Sequence, residues 1–379
     1  MLTRRNWSSP SAGRSLPSSS AFHRSRASFA NASATYHCGV TSLRPQVSVI
    51  IPAYGPAAPV VEAVDRLLTI PDLHLEVIVV NNDPANSLIH LLPPRARLIV
   101  DDVGWNSGFT GAINRGYSQS RGEFILFHNA DLVVDGSYLG PLLDFMTAHP
   151  AAGCASGVLF RGVPETSVTP RIVDSAGIIV RRDRGAHDRR EGMTYDALNQ
   201  PEEVFAVSGA ALLLRRAALE DVSPDGPVLD PSFFMYKDDI DLAWRLRLRS
   251  WQCWVVPAAF GYHARTGRGL GGRGYLRGLI SYLRNERRKP AHIRVHSLTN
   301  EWLLLLKYES LATLAPDLPR IAVRQAALTC ATLLVSPARF VRAVQLFIAA
   351  APAARQARRS VARRRTVPPS SIRRRWFVQ

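Results

Sequence analysis

The chain has 379 residues, 46% hydrophobic and 20% charged, the composition of a globular protein with material for a full apolar core in one large domain or two. A net charge of +17 suggests a nucleic-acid binder, until the charge is located: residues 1–45 hold six Arg, residues 351–379 hold nine, and neither stretch holds an acid. Between them 32 basic residues face 30 acidic ones, so the body is nearly neutral and a nucleic-acid-binding fold is argued against.

Cys38, Cys154, Cys253 and Cys330 lie far apart, without a C-x-x-C or metal-type spacing, as free thiols in a reducing compartment do. No apolar run reaches the ~18 residues of a membrane-spanning helix; the nearest, 326–335 and 343–351, are flanked by Arg324, Arg339 and Arg342. The N-terminus lacks the apolar core of a signal peptide. A cytoplasmic protein is expected.

In chain order, residues 1–45 are Ser-, Ala- and Arg-rich without periodicity and are expected to be a disordered extension. The stretch "QVSVIIPAYG" opens the ordered part as a buried strand stopping at Pro52. A helical stretch runs from Pro59 to Thr69. Three more apolar strands follow, "LEVIVVNND", "RLIVDD" and "GEFILFHNAD", with a helix over 110–119 before the last. Strands alternating with helices predict a parallel α/β sheet, whose ligands bind at the carboxyl ends of the strands. Those ends read Pro52-Ala53-Tyr54, Asn81-Asn82-Asp83, Asp101-Asp102 and Asn129-Ala130-Asp131. Further on, 205–219 reads as a strand running into a helix, "IDLAWRLRLRSW" as a helix, "CWVVPAAFGYH" as a strand, and everything after about residue 290 as helical. The expected division is therefore an extension (1–45), an α/β domain (46–290) and a helical region with a basic tail (291–379).

Three groups of residues carry chemistry. In "WNSGFTGAINRG", Asn106, Gly108, Gly111 and Asn114 open a helix after a strand, either to bring backbone N–H groups to an anion or to make a tight turn. It is neither a Walker loop nor a dinucleotide fingerprint. In "HNAD", Asp131 either holds a divalent cation bridging a diphosphate or caps the following turn. In "FFMYKDDIDLAWRLR", Asp238, Asp239 and Asp241 either start a helix or supply a general base. His263 follows on a segment whose Arg265, Arg268 and Gly-rich loop (267–274) suit a phosphate-facing lid or a solvated loop.

Seven segments in order, from "VSVIIPAYG" through "EVIVVNND", "NSGFTGAINRG", "GEFILFHNAD", "VSGAALLLRRAAL" and "DPSFFMYKDDIDLAWRLRLRSW" to "VVPAAFGYHARTGRG", resemble the family 2 glycosyltransferases, in particular the rhamnosyltransferase-like bacterial branch. The resemblance spans roughly residues 47–270. It implies a GT-A fold (a Rossmann-like, mostly parallel sheet) with a C-terminal helical extension. It further implies inverting transfer of a sugar from a nucleotide diphosphate, dTDP-rhamnose or a UDP-sugar, to a hydroxyl of a glycan or polyprenyl-linked acceptor. Carried over residue by residue, Pro52, Ala53, Tyr54, Asn81, Asn82, Asp83, Asn106, Gly108, Asn129 and Gly209 line the nucleotide-sugar site. Asp131 and His263 hold Mg2+ or Mn2+, Asp239 is the catalytic base and Asp238 the acid before it, while Asp241 serves the helix start.

Two positions depart from the family pattern. Asn129 replaces the first acid of the metal-binding D-x-D, and Asn81 the usual acid of the nucleobase strand. The Q-x-x-R-W motif of processive synthases is absent, so one or a few transfers are expected rather than polymerisation. The basic tail, interleaved with apolar residues, suits an anionic membrane surface at the inner face of the cell membrane. The competing reading is a non-catalytic GT-A domain that binds a nucleotide-sugar or glycan.

Overall fold

The computed structural model describes residues 34–37, 44–164, 170–196, 198–224, 226–264 and 291–378. Most of the expected N-terminal extension lies outside these, as do Arg265, Arg268 and the Gly-rich loop 267–274. Within the stretch expected to be disordered, Ala34–His37 (β1) instead pair antiparallel with Leu98–Asp102 (β4).

Val47–Ala53 (β2), Leu75–Asn81 (β3), β4 and Phe124–His128 (β5) are the four strands expected, and they run parallel in the order β4-β3-β2-β5. Their apolar runs are continuous because both faces of the sheet are covered. Val47, Val49 and Ile51 join one core with Ala57–Leu68 (α1) and Gly136–Ala148 (α3), while Ile50 joins the other. Gly108–Gln119 (α2) packs on β2 and β3.

Beyond β5 the sheet is mixed. Ala211–Arg215 (β12) lies antiparallel between β5 and Ala152–Arg161 (β7), and Gln252–His263 (β13) is parallel to β7. Three short strands, Leu132–Val133 (β6), Val173–Ser175 (β8) and Glu202–Glu203 (β11), pair with β13, β7 and β13 respectively. The antiparallel course of β12 has a positional consequence: Ala211 sits opposite His128, so the amino end of β12 meets the carboxyl end of β5. Gly209 and Ala210 thereby reach the same rim as Asn129 and Asp131. Parallel β13 carries His263 to that rim as well, where it pairs with Leu132.

The segment 136–161 is not legible as helix and strand in the sequence. Helix α3 carries Gly136, Gly140 and Pro141, and β7 reads "AGCASGVLFR", both poor in the usual signals. Their placement comes from burial: Tyr138, Leu139 and Leu142 in α3 and Ala155, Val158 and Leu159 in β7 are completely covered.

After Arg216–Val222 (α4) and Asp238–Leu248 (α5) come the C-terminal helices: Ala291–Tyr308 (α6), Leu311–Leu314 (α7), Leu318–Val335 (α8), Pro337–Arg364 (α9) and Pro369–Trp376 (α10). They share one compact unit with the α/β domain. The tail returns onto that domain. Thr366 N–H donates to Leu248 O at 2.8 Å, and Phe377–Val378 (β14) pair parallel with Ile178–Arg181 (β9), which also pairs with Ala186–Asp188 (β10). Buried Asp317 accepts from Arg184 at 2.9 Å and from Arg373 at 2.6 Å, fastening α10 in place. The tail arginines expected to face a membrane are thus partly engaged within the protein: Arg358 donates to Leu306 O, Arg364 to Asp221 O and Arg375 to Glu203.

One further expectation is corrected. Leu311–Val335 forms a helical run of 25 residues, with mean hydropathy 1.2 in its most apolar window, long and apolar enough to cross a membrane. Asp317, Arg320 and Arg324 interrupt that run and hide it from a search for unbroken apolar sequence.

Candidate active site

The strand ends are tied together by amides. Asn82, 3% exposed, donates to Gly108 O at 2.8 Å and accepts from the Ser107 hydroxyl at 2.7 Å, clamping the start of α2 to the end of β3. Asn81 is equally buried; its amide donates to Asn86 O and Asp102 Oδ1, and its oxygen accepts from Asp83 N–H. These two asparagines therefore shape the rim from inside it. Asp83 stands at the surface of the rim and accepts from Asn86, Ala85 and Gly55, which hold its carboxyl below the usual range. Ala53 is buried, and Tyr54 beside it is 66% exposed.

Asn106 Oδ1 accepts from Gly108 N–H at 2.9 Å, and Asn114 makes a two-way pair with the backbone of Leu229. Gly108 has φ +74, and a Cβ there would lie 2.5 Å from both the ring and the carbonyl oxygen of Phe234. Both facts demand glycine. Gly108→Ala is expected to cost about 1–3 kcal/mol in urea unfolding, because Phe234 is held by its stacking on His296 and by Thr110 N–H donating to its carbonyl.

Phe234 begins the strained entrance to α5. Phe234, Tyr236 and Lys237 all adopt the left-handed region, with φ of 59, 68 and 62. Non-glycine residues stay there only where surrounding structure holds them. Asn300 on α6, fully buried, donates to the carbonyls of Phe233, Met235 and Tyr236 at 2.9, 2.8 and 2.8 Å. Thr110 N–H donates to Phe234 O at 3.1 Å, and Lys237 pairs with buried Glu301.

The three acids that follow have separate fates. Asp239 is half-buried; its Oδ2 accepts from Gly209 N–H at 3.2 Å and its Oδ1 from Ile240 N–H at 2.8 Å. Asp238 is buried, and burial together with the charge of Asp239 pushes its carboxyl well above the usual range. A Cβ on Gly209 would lie 3.8 Å from Asp238 Oδ2, so both carboxyls flank that glycine. Asp241 does not cap the helix as expected. Completely buried, it accepts from Lys307, from Arg245 at 3.1 Å and from the Tyr308 hydroxyl at 2.8 Å.

On the same rim, Asn129 N–H donates to Ala210 O at 2.9 Å, and Asp131 Oδ1 lies 3.3 Å from His263 Nε2. Behind the imidazole, Asp174 Oδ2 lies 2.9 Å from Nδ1. Burial opposes a charge on His263, but the hydrogen bonds to Asp131 and Asp174 outweigh it and raise its pKa to about 9. A small divalent ion would have to displace the proton that Asp131 helps hold on Nε2. Two adjacent ligands at about 2.1 Å are about 3.0 Å apart, close to the observed spacing, and a carboxylate behind the imidazole is the usual orienting partner. No third His, Cys, Asp or Glu converges there among the described residues. Diphosphate oxygens and water would complete the shell, as they do around Mg2+.

The fold thus joins 81–83, 106–110, 129–131, 209–210, 234–239 and His263 along one rim. Asp174, Asn300 and Lys307 are the participants missed in the sequence. For the last two a signal exists: Asn300, Glu301 and Lys307 are polar residues in a Leu-rich helix, and polar groups on a buried face need partners. Asp174 offers none.

The sequence model of the family described as glycosyl transferase family 2 matches residues 48–223. The chain is 22% identical over 227 residues to the poly-beta-1,6-N-acetyl-D-glucosamine synthase of Staphylococcus aureus, across 57% of this chain and 51% of that protein. It therefore spans about half the length of the curated relatives it matches. Among solved structures, GalNAc-T7 with UDP, GalNAc and Mn2+ aligns over 74% of this chain and 55% of its own, with TM-score 0.46 and 13% identity. The mannosyltransferase PcManGT of Pyrobaculum calidifontis in complex with GDP-Man and Mn2+ aligns over 88% of both chains, with TM-score 0.44 and 16% identity. The family match covers residues 48–223, and the mixed, mostly parallel sheet with helices on both faces is the architecture expected of a GT-A fold.

Proposed function

We propose that the protein is an inverting glycosyltransferase that moves a sugar from a nucleotide diphosphate to a hydroxyl of a glycan or lipid-linked acceptor in cell-surface polysaccharide synthesis. The observation that carries this is the Asp238–Asp239 pair beside Gly209: a half-buried carboxyl on the strand-end rim that accepts from Gly209 N–H, with a second, buried carboxyl next to it. Asp239 takes the proton of the acceptor hydroxyl. The oxygen then bonds to the anomeric carbon on one face as the bond to the diphosphate breaks on the other, and the nucleoside diphosphate leaves. Asp83, Asn106 and Tyr54 line the donor side. Asp131 and His263 would hold Mg2+ or Mn2+, whose charge is what a departing diphosphate needs. The name of the Staphylococcus relative supports a glycan product, and the motif resemblance favours a rhamnose-type donor.

The test is a panel of nucleotide-sugars, dTDP-rhamnose and UDP-sugars included, with Mn2+ and glycan or polyprenyl-linked acceptors, reading released nucleoside diphosphate. Acceptor-dependent release is expected for one donor; donor binding without release in every case would leave a binding domain. Chelation by EDTA is expected to remove release and Mn2+ to restore it. Asp131→Ala is expected to weaken Mn2+ binding about 10–100-fold by calorimetry, with unfolding unchanged.

A further inference from the structure

The outward side of α8 is apolar from end to end. Ala322, Val323, Ala326, Ala327, Cys330, Leu333 and Leu334 are all exposed, and they recur at three- and four-residue intervals, which puts them on one face of the helix. Val323 and Leu334 are each 71% exposed, and Leu318 at the start is 54% exposed. In the apolar window of this run only 17% is buried. No described residue covers the stripe, and a contiguous apolar face of this length on a protein surface marks an interaction site.

Charge identifies the occupant. From residue 318 to the end the sequence contains thirteen Arg and no acid. Exposed Arg320 stands at one end of the stripe, and Arg339 and exposed Arg342 follow its other end across the α8–α9 corner. An apolar helical face bracketed by arginines, its nearest acid Asp317 buried and already paired with Arg184 and Arg373, complements a surface that is apolar inside and anionic at its border.

The inner side of α8 decides how it sits. Ile321, Ala331 and Thr332 are buried, Gln325 accepts from the Trp302 indole at 3.2 Å, and Arg324 pairs at 3.1 Å with buried Glu301. Glu301 in turn holds Lys237 at the entrance to the active-site helix α5. A helix surrounded by lipid would break that ion pair and leave Glu301 buried without one of its cations. We infer that α8 lies in the plane of an anionic membrane leaflet, its Val323–Leu334 face in the lipid and its opposite face on α6. The docking surface is thus α8 and the α8–α9 corner, not the far tail. This goes beyond the proposed transfer reaction and does not depend on it, since the test reads binding and not turnover.

The full-length protein is floated with vesicles rich in phosphatidylglycerol and with vesicles of phosphatidylcholine alone. Binding is expected to the first, about tenfold weaker to the second, and reversed by high salt. Val323→Glu with Leu334→Glu, at exposed positions, is expected to lower binding about tenfold or more with an unchanged thermal melt. Arg374→Gln on the tail should leave it unchanged. In a Cys38→Ser background, an environment-sensitive dye on Cys330 should shift to the blue on anionic vesicles. Vesicle binding by the double Glu variant at the wild-type level overturns the inference. So does a wild-type dimer that the double variant converts to monomer without loss of vesicle binding, which would make the face a contact between copies. Binding that resists high salt and requires detergent for release would likewise overturn the in-plane placement.

Discussion

Asp239→Asn is expected to lower sugar transfer by about 10²–10⁴-fold, the contribution of a positioned general base, while the protein stays folded and still binds its donor. The substitution keeps an oxygen that can accept from Gly209 N–H, so the local structure survives and the effect isolates the loss of a proton acceptor. Released nucleoside diphosphate measures the rate, and calorimetry with the donor measures binding. Turnover near the wild-type rate would remove Asp239 from its assigned role and return this rim to a binding function. Asp238→Asn should be milder, because Asp238 is buried beside Asp239 and burial already favours the neutral form of its carboxyl, which an amide resembles in shape.

Lys307→Met is expected to cost about 3–5 kcal/mol of stability, the penalty for leaving buried charge uncompensated. Lys307 is 2% exposed at its side chain and bridges Asp241 and Asp230, the latter at 2.8 Å. Without it, Asp241 retains Arg245 and Tyr308, but the negative charge of the cluster exceeds the positive. Asp241→Asn in the same chain should recover part of the loss, so that the double variant costs less than the two single changes added together. Urea unfolding of the three variants reads this directly. A single-variant cost within about 0.5 kcal/mol would mean the cluster is loosely packed and does not anchor α5 to α6. Transfer should fall as well, since the same cluster fixes the helix that carries Asp239.

Much of the fold was legible because it rests on local signals. Strands β2, β3, β4 and β5 announce themselves as β-branched runs ending in polar residues, and burial on both faces is the reason those runs are unbroken. Helix α2 was legible from its glycines, and β12 with α4 from a run of Leu passing into Arg and Ala. The failures share a cause. Helix α3 with Gly136, Gly140 and Pro141, and β7 with its Gly, Ala and Ser, exist because neighbours cover them, and covering is not a local property. The partner of β1 was invisible for the same reason: its pairing with β4 is a contact between distant segments.

The rim divides along the same line. By itself the sequence determined which residue types stand at strand ends, that Asn129 and Asn81 depart from the acids of related motifs, and that three acids open α5. It did not separate those acids. Tertiary structure did: α6 brings Lys307 and Tyr308 to Asp241 and makes it a buried anchor, burial raises the carboxyl pKa of Asp238, and half-buried Asp239 accepts from Gly209 N–H on the rim. Likewise, only folding places Asp174 behind His263, and only folding turns the arginine-rich tail back on the domain and leaves the α8 face outward. The physical reason is that ionisation and exposure depend on the dielectric and the charges within a few ångströms. For Asp241 and His263 the deciding neighbours include residues 60 or more away: Asp241 with Lys307 (66 apart) and His263 with Asp174 (89 apart).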